Sequence, residues 1–147
     1  MNLAPYLSFS GNCQEALELY CNALGGSIVE KHCYAENPEM AKHLPADWHN
    51  KLMHASFKAG SICLMAADVI EGKDGPCGIV KLSHAGSPIA LSLNFNNETE
   101  QTAAFNKLAQ GGIVTMPLQD TFWGARFGML SDKFGIKWMF NCDKVSS

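Results

Sequence analysis

The chain has 147 residues, of which 47% are apolar and 17% charged, with a formal net charge of −3. That length suits a single domain with a proper core. The charge leaves no basic footprint for nucleic acid or an anionic membrane, and no apolar run approaches the ~18 residues of a membrane span. The opening residues, Met1 to Tyr6, carry neither a basic n-region nor a long apolar h-region, so the cytoplasm is the expected compartment. Cys13, Cys21, Cys33, Cys63, Cys77 and Cys142 show no CxxC and no regular spacing. They read as apolar thiols in a reducing compartment, not as a disulfide framework.

Leu3 to Ser10 alternates and reads as a strand that Gly11-Asn12 breaks. Asn12 is placed to cap a helix, with Glu15 completing a capping-box pair. Ala16, Leu17, Tyr20, Ala23 and Leu24 then fall on one helical stripe. Gly25-Gly26 ends the helix, because glycine takes the left-handed C′ conformation without a Cβ clash. Ser27 to Tyr34 reads as the next strand, and Ala35 to Asn50 as a loop. Lys51 to Ala59 alternates, with Met53, Ala55 and Phe57 on one side and His54, Ser56 and Lys58 on the other. Gly60-Ser61 turns the chain into an apolar strand from Ile62 that ends at Asp68. Residues 69–86 read as a long glycine-containing connection.

The order then repeats. Pro88 to Phe95 alternates, Asn97 caps with Glu100 in the N3 place, and Ala104, Phe105, Leu108 and Ala109 form the second stripe. Gly111-Gly112 ends it, Ile113 to Leu118 is a strand, and residues 121–141 form a hairpin. Asp132 opens its turn by bonding its own backbone, and Gly135 closes it at positive φ. The chain is therefore βαβββ written twice, one α+β domain over 1–147 with module 1 at about 1–68 and module 2 at about 87–142. No glycine-rich phosphate loop or nucleophile elbow is present, and nothing resembles a site for adenosylmethionine.

Several stretches carry a family resemblance. Ala4 to Asn12, His54-Ala-Ser-Phe57, Leu64 to Asp68, Thr121-Phe-Trp-Gly124 and Asp132 to Asn141 resemble the PhnB-like branch of the vicinal oxygen chelate superfamily. That superfamily includes glyoxalase I, bleomycin-resistance proteins and extradiol dioxygenases, and the branch also bears a demethylubiquinone methyltransferase name. The resemblance implies two modules forming a cupped, barrel-like mixed sheet with helices outside, a homodimer, and a small-molecule cavity on the concave face. In metal-dependent relatives four His, Glu or Gln ligands come from the first and last strands of each module. Here those places fall near Pro5, Leu64, Pro88 and Met139, none of them a usual ligand. The expectation is a small-molecule binding protein with no resident metal and no cofactor.

The resemblance places Pro5, Leu7 and Phe9 on the cavity side of the first strand and Lys137, Met139 and Asn141 on that of the last; alternation leaves Pro88, Ala90, Ser92 and Asn94 to the cavity in the strand that opens the second module, and Leu64, Ala66 and Asp68, or else Cys63 and Met65, in the last strand of the first. His54 reads either as a general base or as a strand histidine bonded to a neighbour. Asp68 reads either as its orienting partner or as a turn cap. Arg126, beside Phe122, Trp123 and Phe127, suits a ligand carboxylate or phosphate, or stands as a plain surface arginine. Trp123 and Trp138 read either as plates for a flat ligand or as core, and the register proposed for the last strand turns Trp138 and Phe140 to the helix side. The expected ligand contacts are Phe9, His54, Asn94, Trp123, Arg126 and Met139, and the candidate catalytic residues are His54 and Asp68. The second reading of the chain is a lyase, isomerase or dioxygenase of the same superfamily, using a metal held by Asp68, His54 and a third group, or using His54 and Asp68 alone for proton transfer.

Overall fold

The computed structural model describes residues 1–70, 74–75, 78–79 and 87–144. The chain divides into two compact units, Met1–Leu82 and Ser83–Ser147. Most of the expected connection 69–86 lies outside the described residues. Within it, β5 (Asp74–Gly75) and β6 (Gly78–Ile79) pair antiparallel.

The first unit holds β1 (Tyr6–Phe9), α1 (Cys13–Leu24), β2 (Ser27–Cys33), β3 (Leu52–Ala59) and β4 (Ile62–Asp68). Between β2 and β3 lie a 3-10 turn at Tyr34–Glu36, the four-residue helix α2 (Pro38–Ala41) and a second 3-10 turn at Ala46–Trp48. The second unit holds β7 (Leu91–Phe95), α3 (Glu98–Ala109), β8 (Ile113–Asp120), β9 (Ala125–Ser131) and β10 (Lys137–Asp143). Its sheet order, β7-β10-β9-β8, is that of β1-β4-β3-β2 in the first. In each unit the first strand runs parallel to the last and the other pairs are antiparallel. The duplication read from the sequence is thus present in the ladders. They make two four-stranded mixed sheets that do not close.

Each helix covers one face of its own sheet. Alternate side chains of a strand point to opposite faces, so the buried set marks the helix side. In the first unit that side carries Leu7, Phe9, Ala55, Phe57, Leu64 and Ala66, all at most 8% exposed, under Ala16, Leu17 and Tyr20 of α1. In the second it carries Leu93, Trp138, Phe140 and Cys142 under Ala104, Phe105 and Leu108 of α3. Phe140 centres that packing, with Phe105 edge-on at 5.0 Å and Phe95 stacked at 5.9 Å between ring centroids.

The helix ends obey the sequence, with one exception. Asn97 accepts a 2.8 Å hydrogen bond from the Glu100 amide, as its capping position requires. Asn12 makes no side-chain cap at all, and Asp68 at the end of β4 takes that place, as described below. Gly25 and Gly111 follow their helices with φ of 74° and 72°. The second glycine of each pair has a different task, close approach. A Cβ on Gly26 would strike the Lys58 carbonyl and lie 2.7 Å from Phe57 Cζ, while one on Gly112 would strike the Ser131 carbonyl and lie 3.0 Å from Asp132 Cα. Backbone cannot yield as a flexible side chain can. Gly26→Ala and Gly112→Ala should each lower unfolding free energy in urea by about 1–3 kcal/mol, with helix and strand content unchanged by circular dichroism.

Candidate functional site

The face of each sheet away from its helix carries the candidate site, so register decides which side chains belong to it. In the first unit Tyr6 pairs with Met65, Met65 with Ser56 and Ser56 with Glu30, while His54 pairs with His32. The open face therefore presents Tyr6, His54, Ser56, Met65, Cys63 and His32. Phe9, 3% exposed, and Asp68, 1% exposed, lie on the opposite, helix-packed face. This corrects the first choice of face for β1 and β4 by one residue. The slip has a physical cause: Tyr-Leu-Ser-Phe and Ile-Cys-Leu-Met-Ala-Ala-Asp are almost wholly apolar, so neither strand shows the period of two that would orient it. The alternation of β3 does hold, with Ala55 and Phe57 buried and His54 and Ser56 half-buried.

Asp68 and His54, considered as a pair, are thus separated by the sheet. Asp68 instead organises the backbone. Its Oδ1 accepts from the amides of Gly11 and Cys13, each at 2.9 Å, and its Oδ2 from the Leu52 amide at 2.9 Å. Its own carbonyl accepts the Tyr34 hydroxyl at 2.5 Å. Burial pushes its carboxyl above the ordinary value, against the pull of these amides and of Lys51. The same burial, with the Asp68 charge, drives the Cys13 thiol far above the range in which it would ionise.

His54 has a different partner. Tyr6 Oη lies 2.9 Å from its Nδ1, and Ser56 Oγ 3.5 Å from its Nε2. The sequence reading missed Tyr6 because 48 residues separate it from His54; only the β1–β4–β3 register brings them together. On the neighbouring strand His32 bonds Glu36 at 3.1 Å and Glu30 at 3.0 Å, and the second oxygen of Glu36 accepts the Cys33 amide at 2.6 Å. These bonds tie the 3-10 turn to β2.

In the second unit the alternation of β10 places Trp138 (1% exposed) and Phe140 (0%) under α3 and leaves Lys137, Met139 and Asn141 half-buried on the open face, as expected. Asn94 pairs with Asn141, whose Nδ2 donates to Asn94 Oδ1 at 3.3 Å and to Asp143 Oδ1 at 3.1 Å. Met129 and Phe127 of β9 share that face through their pairing with Met139 and Asn141. Trp123 sits in the turn before β9, 57% exposed, with its ring 6.0 Å edge-on from Phe127 and 5.1 Å from Phe122. Arg126 does not join these rings. Its pair on β10 is the buried Cys142, and its guanidinium donates to Thr102 Oγ1 at 2.7 Å and to Gln101 Oε1 and the Glu98 carbonyl at 3.3 Å. Gln101 donates back to the Arg126 carbonyl at 2.8 Å. Arg126 fastens α3 to the sheet. The turn at the end of β9 is as read: Asp132 accepts from the amides of Phe134 and Ile136, and also from the Trp138 indole at 2.9 Å.

A four-ligand metal set is testable on chemistry alone. With the register known, the first and last strands of the modules offer mainly hydroxyls, amides and thioethers to the open faces, Tyr6, Ser92, Asn94, Asn141, Met65 and Met139, with one side chain of ligand type in each module, Cys63 and Asp143. Hard or borderline divalent ions take imidazole, carboxylate or thiolate, not thioether and hydroxyl. Among the described residues no group of three His, Cys, Asp or Glu side chains is placed to hold a metal ion. The residues present do not fit the ligand set. A separate cavity of about 440 Å³ lies in the first unit beside the start of α1, lined by Gly11, Asn12, Lys31, Cys33, Glu36 and Lys51 among others. Neither Tyr6 nor His54 lines it, and of its three carboxylates, Glu15, Glu36 and Asp68, the last is bonded to backbone amides on both oxygens.

Paired βαβββ units whose helix-free faces carry half-buried polar and apolar side chains define a glyoxalase-type fold. A sequence model of the glyoxalase/bleomycin resistance protein/dioxygenase superfamily matches residues 2–140. Protein YjdN of Escherichia coli K12 is 33% identical over 98% of this chain and 97% of its own length. The crystal structure of PA1353 from Pseudomonas aeruginosa is 39% identical, covers 99% of both chains and superposes with a TM-score of 0.79. The PhnB protein of Bacillus cereus is 26% identical over 97% of this chain and 99% of its own, with a TM-score of 0.75. The chain belongs to the glyoxalase/bleomycin resistance/dioxygenase superfamily. No helix among the described residues is long and apolar enough to cross a membrane.

Two predictions separate scaffold from site. Asp68→Ala strands three buried or half-buried amides and should cost about 3 kcal/mol or more in chemical denaturation, whereas His54→Ala should change stability by less than about 1 kcal/mol. The hydrogen bonds to Glu36 and then Glu30 raise the His32 pKa above the ordinary 6.5, and those from His32 and the Cys33 amide lower Glu36 below 4.5. Raised in the fold, His32 contributes stability that is complete below pH 6.5 and lost as pH rises through its folded value. Glu36 contributes above pH 4.5 and loses it as pH falls through its depressed value. The ring-proton NMR titration of His32 should therefore have its midpoint above 6.5, and Glu36→Gln should bring it down.

Proposed function

We propose that the protein is a small-molecule binding protein that works without the metal centre of its metal-dependent relatives. The observation that carries this reading is the chemistry of the open faces. On the strands where a metal-binding relative would present carboxylates and imidazoles, this chain presents mainly Tyr6, Met65, Ser92 and Met139, with a single side chain of ligand type in each module, Cys63 and Asp143. A few polar groups, His54 and Ser56 in one module and Asn94 and Asn141 in the other, stand among polarisable Met side chains. That composition suits an apolar ligand oriented by a small number of hydrogen bonds. Trp123 adds an exposed aromatic edge at the rim of the second module. Phe9 and Arg126 take no part in this reading, since both face a helix.

The same reading takes the chain as a cytoplasmic homodimer. Cys13, Cys21, Cys33, Cys63 and Cys142 are free thiols, which suits a reducing compartment. The outer strand β8 exposes Ile113 by 69% and Val114 by 42%, an apolar edge of the kind that a second chain covers.

Elemental analysis of protein purified without chelator should find no stoichiometric transition metal, and added EDTA should leave the melting temperature unchanged. Native mass spectrometry after gentle purification should find a small organic molecule retained. One transition-metal ion per chain would overturn the metal-independent reading.

A further inference from the structure

Two polar side chains of the first module's open face, Tyr6 and Ser56, converge on His54. Tyr6 and His54 sit on strands that flank β4, and the ladders on both sides of β4 fix their separation. Tyr6 Oη is 2.9 Å from His54 Nδ1, with ring centroids 5.7 Å apart and ring planes inclined by 39°. A phenol with a pKa of about 10 is a good donor and a modest acceptor, while the bare nitrogen of a neutral imidazole is a good acceptor. With the imidazole neutral, the Tyr6 hydroxyl therefore donates to Nδ1. A neutral imidazole has a single N–H, so with Nδ1 accepting, the proton sits on Nε2. Nε2 is 3.5 Å from Ser56 Oγ, at the far limit of a hydrogen bond, which leaves most of its donor strength for another acceptor.

The surroundings narrow what that acceptor is. His32, the cross-strand pair of His54, bonds both Glu30 and Glu36. With the imidazole protonated and both carboxyls ionised, that trio carries one net negative charge, which repels an anionic group and leaves a neutral one unaffected. Met65 pairs with both Tyr6 and Ser56 and so forms an apolar floor between the polar groups.

We propose that Tyr6 locks His54 in its Nε2–H tautomer, so that the open face of the first module binds a neutral carbonyl oxygen on an apolar ligand lying against Met65. The inference rests on the reading of this face as a small-molecule site. Within it His54 touches the ligand, and Tyr6 is a positioning residue that acts through His54.

Long-range ¹H–¹⁵N NMR of the histidine rings, recorded above their titration range, reads the tautomer directly. The wild-type spectrum should show Nδ1 unprotonated and Nε2 protonated at His54, and Tyr6→Phe, which keeps the ring, should give a mixture of the two. Titration with acetophenone should then shift the His54 Nε2 and Met65 methyl resonances. Ethylbenzene, the same body without the carbonyl, should move Met65 alone. Acetophenone should bind at least threefold more tightly than ethylbenzene or benzoate, and Tyr6→Phe or His54→Ala should erase that preference while keeping the Met65 response. A proton on Nδ1 in the wild type, or equal binding of acetophenone and ethylbenzene, overturns the proposal with the site itself intact. Tighter binding of benzoate overturns the neutral-acceptor assignment. No response of any open-face resonance to either aromatic refutes both this inference and the binding site beneath it.

Discussion

A buried carboxylate holds the first module together. Asp68 stands at the end of the last strand of its sheet and reaches the start of the helix, the start of β3 and, through its carbonyl, the Tyr34 hydroxyl. A carboxylate taken out of water needs donors, and backbone amides at a helix start need an acceptor; each deficit answers the other. The module's helix is therefore indexed to its sheet by one side chain, and that index sets which residues of β1 and β4 face away from the helix. The second module uses different parts for the same purpose. Asn97 caps its own helix, and the exchange between Gln101 and Arg126 ties that helix to the middle of the sheet.

The duplicated architecture was legible because its signals are local. A capped apolar stripe, a Gly-Gly stop and an alternating strand recur in the same order, and the two sheets have the same strand order. The faces of β10 were legible too, since Lys-Trp-Met-Phe-Asn-Cys alternates bulky core side chains with polar or flexible ones. The faces of β1 and β4 were not. Their composition is apolar on both sides, and only the ladder and the reach of Asp68 decide between them.

The candidate site divides along the same line. His54 was readable as an open-face residue from the alternation of its own strand, and Asn94 and Met139 from theirs. Its partner Tyr6 was hidden, because a hydrogen bond between residues 48 apart leaves no trace in spacing. Asp68 and Arg126 illustrate the opposite hazard. Both are the residue types that catalysis and anion binding use, yet each is engaged in fastening a helix, Asp68 through both carboxylate oxygens and Arg126 through Nη1. Residue type alone does not distinguish a charged group that serves a ligand from one that serves the backbone; the face on which it lies does.

The separation of the two faces in each sheet bears on how relatives diverge. Core packing, helix anchoring and the collisions that require Gly26 and Gly112 all lie on the helix side or at the strand ends. The open side carries few side chains on which the helix contacts depend. Its chemistry is free to drift from carboxylates and imidazoles to thioethers and hydroxyls while the scaffold stays constant. A chain 39% identical to PA1353 shares its backbone with a TM-score of 0.79, and the open face is where side chains are freest to differ under such a constant scaffold.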